Sequence, residues 1–326
     1  MEKVAKDPTK KISIKRIIED NGILIAFIVI CIILSFASPH FLSVPNILNV
    51  LRQISSIGIA TIGVGMLIVM GQNDLSIGSV FALTGILAGL TVSTGVGGLG
   101  LHPLFGFAVG ISAGLLIGGF NGIIVAKARI PAFIVTMGTM SIARGLALIF
   151  AQGMPVASFP DGFNWLGTAS IGPVPLLIVI FLAVAGLSHY IMEKRPLGRY
   201  IYAVGSNEAA ARAAGINVDR VKIKTYLFHG ALIGLAATML ASRLRSAAPG
   251  LGVGFELDAI AGAIIGGVSF TGGIGRVGDM VLGAMLIGVI NNGMDLMGVS
   301  AFYKQVVMGS LIILAVLIDR KRSGRG

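Results

Sequence analysis

Ten apolar stretches, parted only by short polar interruptions, limit what this chain can become. They run roughly over 23–38, 47–70, 75–94, 103–126, 132–151, 174–191, 223–243, 256–270, 279–298 and 302–318. Several come near the ~20 residues that an α-helix needs to cross a bilayer's hydrocarbon core. Lipid offers no partner to a backbone N–H or C=O, so a spanning segment must satisfy its own backbone, and a helix does so. The fold class read from this is all-α: a polytopic membrane protein of about ten transmembrane helices. Stretch 256–270 is short and Gly-rich, which leaves open whether it spans or re-enters. Charged residues make up 12% of the chain, against about 25% in an ordinary soluble domain.

The net charge of +11 raises the question of nucleic acid, and the placement of the charges answers it. Lys and Arg gather in the N-terminal tail (Lys3 to Arg16), at Lys127 and Arg129, across 192–224, at Arg276 and in the C-terminal tail (Arg320 to Arg325). Arg52, Arg144, Arg243, Arg245 and Lys304 fall outside this set. Ten spans put both termini on one side, and the positive-inside rule makes that side the cytoplasm. The surrounding partner is lipid, and no nucleic acid is needed to explain the basic balance. Ser35-Phe36-Ala37 after a charged start resembles a signal-peptide end, but a polar lead of about 22 residues is long for one, so the segment is read as uncleaved. The organisation expected is a cytoplasmic tail over 1–22, a transmembrane domain over 23–318 and a cytoplasmic tail over 319–326. Cys31 is the lone cysteine, which excludes a disulfide framework and a Cys-based metal site.

Two stretches repeat. "IGGFNGIIVAKARIPAFIVTMG" (117–138) aligns with "IGVINNGMDLMGVSAFYKQVVMG" (287–309), matching Asn121 to Asn291 and Phe133 to Tyr303. The first copy starts in the fourth span and the second in the ninth, so they run in opposite directions. That is the pattern of an inverted-topology repeat, over about 47–151 and 223–318. Small-xxx-small spacings such as Gly114/Gly118, Gly118/Gly122 and Gly262/Gly266 allow close helix approach.

Polar residues stand out against this background. "GQNDLSIGS" (71–79) sits between two strongly apolar runs. It reads either as a tight turn with Asp74 capping the next helix or as a break where polar groups face a translocation path. Glu256 and Asp258 in "FELDAIAG" (255–262) pose the same choice. Asn121, Asn291 and Asn292 lie in spans, where amides bond across helices or meet substrate. Arg144 and His229 are isolated in spans, a pattern that points to function by default, with a satisfied interhelical hydrogen bond as the other reading of His229.

Other chemistry finds no support. "GVGGLG" (95–100) and "GIGRVG" (273–278) match G-x-G-x-x-G, but neither follows a strand, so the dinucleotide reading fails. No Gly-Lys dipeptide exists, hence no P-loop. The four His are scattered at 40, 102, 189 and 229. No enzyme, cofactor or metal is expected. In "MEKRPLGRYIYAVGSNEAAARAAGINVDRVKIK" (192–224), Ser206-Asn207 before Glu208 reads as a helix start and Gly215 as its end. That short helix is either a docking element for a cytoplasmic partner or a solvated basic loop.

Taken together, "GQNDLSIGS", "AVGSNEAAARAAGINV" (203–218) and "ELDAIAGAIIGGVSFTGGIGRVG" (256–278) resemble three motifs of sugar-type ABC importer permeases, the ribose/galactoside class. The similarity runs from about Phe41 to Asp319. Gln72 and Asn73 depart from the residues common in the first motif. The resemblance implies a homodimeric permease in the bacterial plasma membrane, importing a monosaccharide (pentose or hexose). It implies a cytoplasmic ATPase partner and a periplasmic or lipid-anchored sugar-binding protein. It assigns 192–222 as the coupling loop, with Gly205, Asn207, Glu208, Ala209, Ala210 and Gly215 meeting the ATPase. It places Asp74 and Ser76 near the pathway, where Asn73, Asn121 and Asn291 suit a hydroxyl-rich substrate. The alternatives are a related permease for nucleosides, autoinducer-type sugars or branched-chain amino acids, and an ion-coupled secondary transporter.

Overall fold

The computed structural model describes residues 22–323, with side chains to 317. The expected tail calls at 1–22 and 319–326 lie almost wholly outside the described side chains. The described chain is mostly helical: α1 Gly22–Ala37, α2 Val44–Val69, α3 Ile77–Val92, α4 Pro103–Ile123, α5 Ala132–Phe150, α6 Asp161–Thr168, α7 Leu176–Lys194, α8 Pro196–Ser206, α9 Glu208–Ala213, α10 Val218–Leu244, α11 Phe255–Ile265, α12 Val277–Leu296 and α13 Ala301–Ser323. The end of α4 widens into a π turn over Ile124–Ala128. A two-residue hairpin pairs Ser170–Ile171 with Val174–Pro175. Six helices are long and apolar enough to cross a membrane: α2, α4 with its π turn, α5, α7, α10 and α12. Helices α1, α3 and the apolar part of α13 are shorter. Helix α11 has 11 residues, about 16 Å at 1.5 Å per residue, half of what a bilayer core requires.

The chain's glycines decide the packing. Helices α4 and α10 form the most extensive pair in the molecule. A Cβ at Gly114 would strike the backbone of Gly230 and Gly234, and one at Gly118 would strike Tyr226 and Gly230. Main chain therefore meets main chain along the seam, as small residues permit in lipid. A lesser seam joins α12 to α11, where Gly283 lies against the backbone of Gly262 and Gly266. Contacts then cross between the halves. Helix α10 also packs on α2 and α3, and α2 packs on α11 and α12. Helix α3 lies against α4 and α5, as α11 lies against α12 and α13. The middle of this bundle is dry: Ile59, Ile62, Met66, Leu67, Phe81, Ile86 and Tyr226 are fully buried.

Three elements were not read from the sequence: α6, the hairpin and α8. Helix α6 and the hairpin occupy the stretch between the fifth and sixth apolar runs. Ser242 holds α6 to α10 by donating to Phe163 O at 2.6 Å and accepting from Gly167 N at 2.7 Å. Helix α8 precedes the short helix expected in 192–224.

Candidate functional site

The break between α2 and α3 carries the motif "GQNDLSIGS". Helix α2 ends in a glycine cap: Gly71, at φ 74°, donates to Ile68 O at 2.8 Å, and Gln72 N donates to Leu67 O at 2.9 Å. This is the two-bond closure that a left-handed residue after a helix allows. Val69 O is left over, and Gly273 N reaches it at 2.8 Å. Several polar groups that follow are paired. Tyr226 Oη donates to Asn73 O at 3.1 Å, and Leu75 N donates to Thr136 Oγ1 at 3.1 Å. Asp74 Oδ1 accepts from Ser76 N at 2.6 Å and from Ser76 Oγ at 2.5 Å. Its other oxygen, Oδ2, lies 3.1 Å from His229 Nε2. Asp74 therefore does not cap α3 in the expected way. Ser76 is the N-cap residue, and Asp74 folds the turn before it.

The network continues through the interior. Asn121 Nδ2 donates to Ser76 Oγ at 3.4 Å, and Asn121 Oδ1 accepts from Thr139 Oγ1 at 2.6 Å. Asp74, Ser76, Asn121, Thr136 and His229 are all buried. A broken helix inside an apolar bundle exposes backbone groups that water cannot reach, and these side chains satisfy them. Three of the five expected pathway residues, Asp74, Ser76 and Asn121, thus belong to one closed cluster. Asn73 differs: it borders a cleft of about 580 Å³. Asn291 belongs to another contact set, donating to Asp258 Oδ2 at 3.2 Å. Asn292 is interhelical glue, exchanging bonds of 2.8 and 3.0 Å with Asn46. Arg144 donates to Pro249 O and, at 3.2 Å, to Leu251 O, tying the loop before α11 to α5. Thr136, Thr139 and Tyr226 were missed in the sequence. The one signal was the spacing of Thr136 and Thr139, which puts both on one helix face.

Helix α9 closes the cleft. Asn207 Oδ1 accepts from Ala210 N at 2.9 Å, the expected N-cap bond. Gly215, at φ 84°, ends the helix, with Gly215 N on Arg212 O and Ile216 N on Ala211 O at 3.0 Å each. Ala209 and Ala210 lie between these caps. Glu208 pairs with Lys222 at 2.9 Å and Arg212 at 3.0 Å, and Arg212 also reaches Asp219 at 3.0 Å. Burial pushes the Glu208 carboxyl up, but its bonds to Lys222 and Arg212 prevail and hold it below its ordinary value. Lys127 of the π turn joins through Asp219 at 3.6 Å. The basic residues around α9 are thus partly internal to a charge network, which sequence spacing did not show. Gly205, near the end of α8, meets both the end of α2 and the 272–273 turn. A Cβ there would strike Val69 O and Gly273 N, and Gly272 packs on Gly205 O and on Gly71. Among the described residues no three His, Cys, Asp or Glu side chains group to hold a metal ion.

Residues 46–316 match the family model described as "Branched-chain amino acid transport system / permease component". The ribose import permease protein of Haemophilus influenzae is 40% identical over 319 residues, covering 96% of this chain and 97% of its own. The D-allose transport system permease protein of Escherichia coli is 36% identical over 294 residues, covering 90% and 89%. The L-arabinose transport system permease protein of Escherichia coli is 34% identical over 313 residues, covering 96% and 94%. No solved structure matches the chain. With the family model matching nearly the whole chain and full-length permeases this similar, the chain belongs to the permease-component family and is a multi-pass membrane transport subunit.

Proposed function

We propose that this chain is the membrane subunit of an ATP-driven importer for a monosaccharide. The observation that carries the reading is the set of relatives: three permeases named for ribose, D-allose and L-arabinose resemble this chain over nine-tenths or more of its length. The family's own description mentions branched-chain amino acids. An amino acid brings a carboxylate and an ammonium that need charged partners. The one carboxylate at the break, Asp74, is already bound to Ser76 and His229, and Gln72 and Asn73 bring neutral amides to the cleft, which suits a neutral, hydroxyl-rich solute better.

In this reading about ten helices span the bilayer, with both termini in the cytoplasm. The halves 47–151 and 223–318 are inverted repeats. The reciprocal packing of α10 on α3 and α4, and of α2 on α11 and α12, supports this. Two copies of the chain form the pathway. An extracytoplasmic binding protein delivers the sugar. A cytoplasmic ATPase receives α9 in a groove and supplies the energy. Residues 192–222 are then the coupling loop, and Gly205 transmits its motion because its backbone touches the ends of both half-bundles. Asn73, Asp74, Ser76, Asn121 and Asn291 border or support the sugar's path, with Asp74, Ser76 and Asn121 setting the shape of the break rather than offering free bonds. The test is uptake of labelled pentoses and hexoses into vesicles holding the permease, its ATPase and its binding protein. ATP-dependent uptake of one sugar is expected. Uptake driven by a proton or sodium gradient alone would refute the reading.

A further inference from the structure

A second cleft lies at the far end of the bundle from α9. Helix α12 starts beside the 266–276 loop, which touches Gly205. Its 20 residues then rise about 30 Å to Asp295, at the mouth of this second cleft. The cleft measures about 250 Å³, below the ~300–1,000 Å³ of drug-sized sites and suited to a small solute. Its polar lining is Gln53 of α2, Asp258 of α11, Asn291 and Asp295 of α12, and Lys304 and Gln305 of α13.

The chemistry of this lining is selective. Gln53, Asn291 and Gln305 each carry both a donor and an acceptor, as a hydroxyl does. Lys304 Nζ donates to Asp295 Oδ1, and with Asp258 in the same lining the cleft carries no net positive charge to attract a ligand carboxylate. Asp258 Oδ2 accepts from the almost fully buried Asn291, which leaves its Oδ1 available to a hydroxyl donor. Leu257 and Met308 complete the wall and offer an apolar surface to the C–H face of a sugar ring. Three-carboxylate or His clusters that would take a metal ion are absent among the described residues.

The placement is also matched. The cleft beside α9 is built from the loop before α3 and the turn from α4 to α5. The second is built from Val253 and Gly254 of the loop before α11 together with α11 itself, the end of α12 and the start of α13. The loops before α3 and α11 hold corresponding places in the two proposed repeats, so each of these two clefts lies beside the start of a short helix that follows a chain break.

We propose that the cleft between α2, α11, α12 and α13 is a binding site for the transported monosaccharide, occupied on the face opposite α9 before the solute moves inward. This rests on the importer reading above. Gln305→Cys in a Cys31→Ser background gives a single thiol at the site. The probe is a membrane-impermeant maleimide, applied to vesicles holding the complete importer. A transported sugar at about twice its dissociation constant should slow labelling about threefold, and a sugar that is not transported should leave it unchanged. In parallel, Gln53→Leu with Gln305→Leu should alter the ratio of pentose to hexose uptake, with melting temperature and ATPase association checking assembly. Gln305→Leu alone, at an exposed position, serves where the double variant fails to fold. Sugar-independent labelling, or an unaltered uptake ratio in assembled variants, overturns the site. Wild-type vesicles that take up no monosaccharide overturn the importer reading and the site with it; active wild-type vesicles with indifferent variants overturn the site alone.

Discussion

His229 Nε2 sits 3.1 Å from Asp74 Oδ2, joining the middle of α10 to the break between α2 and α3. Both side chains are almost fully buried, and His229 Nδ1 has no hydrogen-bond partner where it faces Gly63. With Nε2–H donating to the carboxylate, this bond holds the first half-bundle to α10 at the point where the helix is interrupted. Asp74→Ala removes the acceptor for His229 and for both groups of Ser76. Leaving those buried donors unsatisfied costs about 1–3 kcal/mol. Asp74→Asn keeps an acceptor and costs less. Thermal melting of the purified protein checks the order: wild type, then Asn, then Ala. An Asp74→Ala protein melting with wild type would contradict a structural role for the pair.

The α4–α10 seam makes a prediction that composition alone does not. Gly118→Leu and Gly230→Leu force backbone apart, and overpacking of this kind costs about 1–3 kcal/mol or more. Gly138 of α5 has nothing within 4 Å of a Cβ. Gly138→Ala should leave the melting temperature unchanged or raise it, since glycine is a poor helix former by about 1 kcal/mol. Equal effects at the three positions would show that the seam is not what limits stability.

The α9 cap is testable by hydrogen exchange. Asn207→Ala loses the bond to Ala210 N, worth about 1 kcal/mol, and should speed exchange across 208–214 without changing it in α4 or α10. Unchanged exchange in the short helix would mean that its ion pairs, not its cap, hold it.

The same segment should respond to acid. Glu208 has a folded value below its ordinary 4.5. Its contribution is therefore complete above the ordinary value and is lost as pH falls through the lower, folded one. Exchange in 207–215, corrected for intrinsic rates, should stay constant from neutral pH down to that ordinary value and rise below it. In Glu208→Gln the acid-dependent rise should shrink, with Asp219, held low by its bond to Arg212, accounting for what remains. A rise already under way near neutral pH would assign the effect to another group.

Gly205→Val tests the proposed link from α9 to the bundle. The side chain would collide with Val69 O and Gly273 N. A distortion of about 1–3 kcal/mol at a coupling point lowers uptake by roughly tenfold to a hundredfold, at 1.36 kcal/mol per decade. ATPase binding should persist, because α9 keeps its own caps. Normal sugar uptake by an assembled Gly205→Val importer would remove Gly205 from the coupling path.

Much of the architecture could be read in advance because lipid enforces it. Long uncharged runs can only be helices there, and the caps at Asn207 and Gly215 are local events set by residues a few positions apart. The break at "GQNDLSIGS" was legible as an interruption for the same reason. Its contents were not. Asp74 was expected to cap α3 and instead bonds Ser76 and His229, because α10, 155 residues away, supplies the stronger partner. Asn121 and Asn291 look alike in the aligned stretches, yet one joins a sealed cluster and the other lines an open cleft.

The sequence by itself determined that the chain is a mainly helical membrane protein, roughly where its apolar helices lie, and which polar residues are out of place in lipid. Those outcomes depend on transfer from water and on short-range hydrogen bonds. Tertiary structure alone decided which of those polar residues are consumed in holding the broken helix and which still face an open cleft. That division depends on backbones meeting at Gly118 and Gly230, and again at Gly205 and Gly272. Contacts between segments distant in the chain leave no local pattern to read.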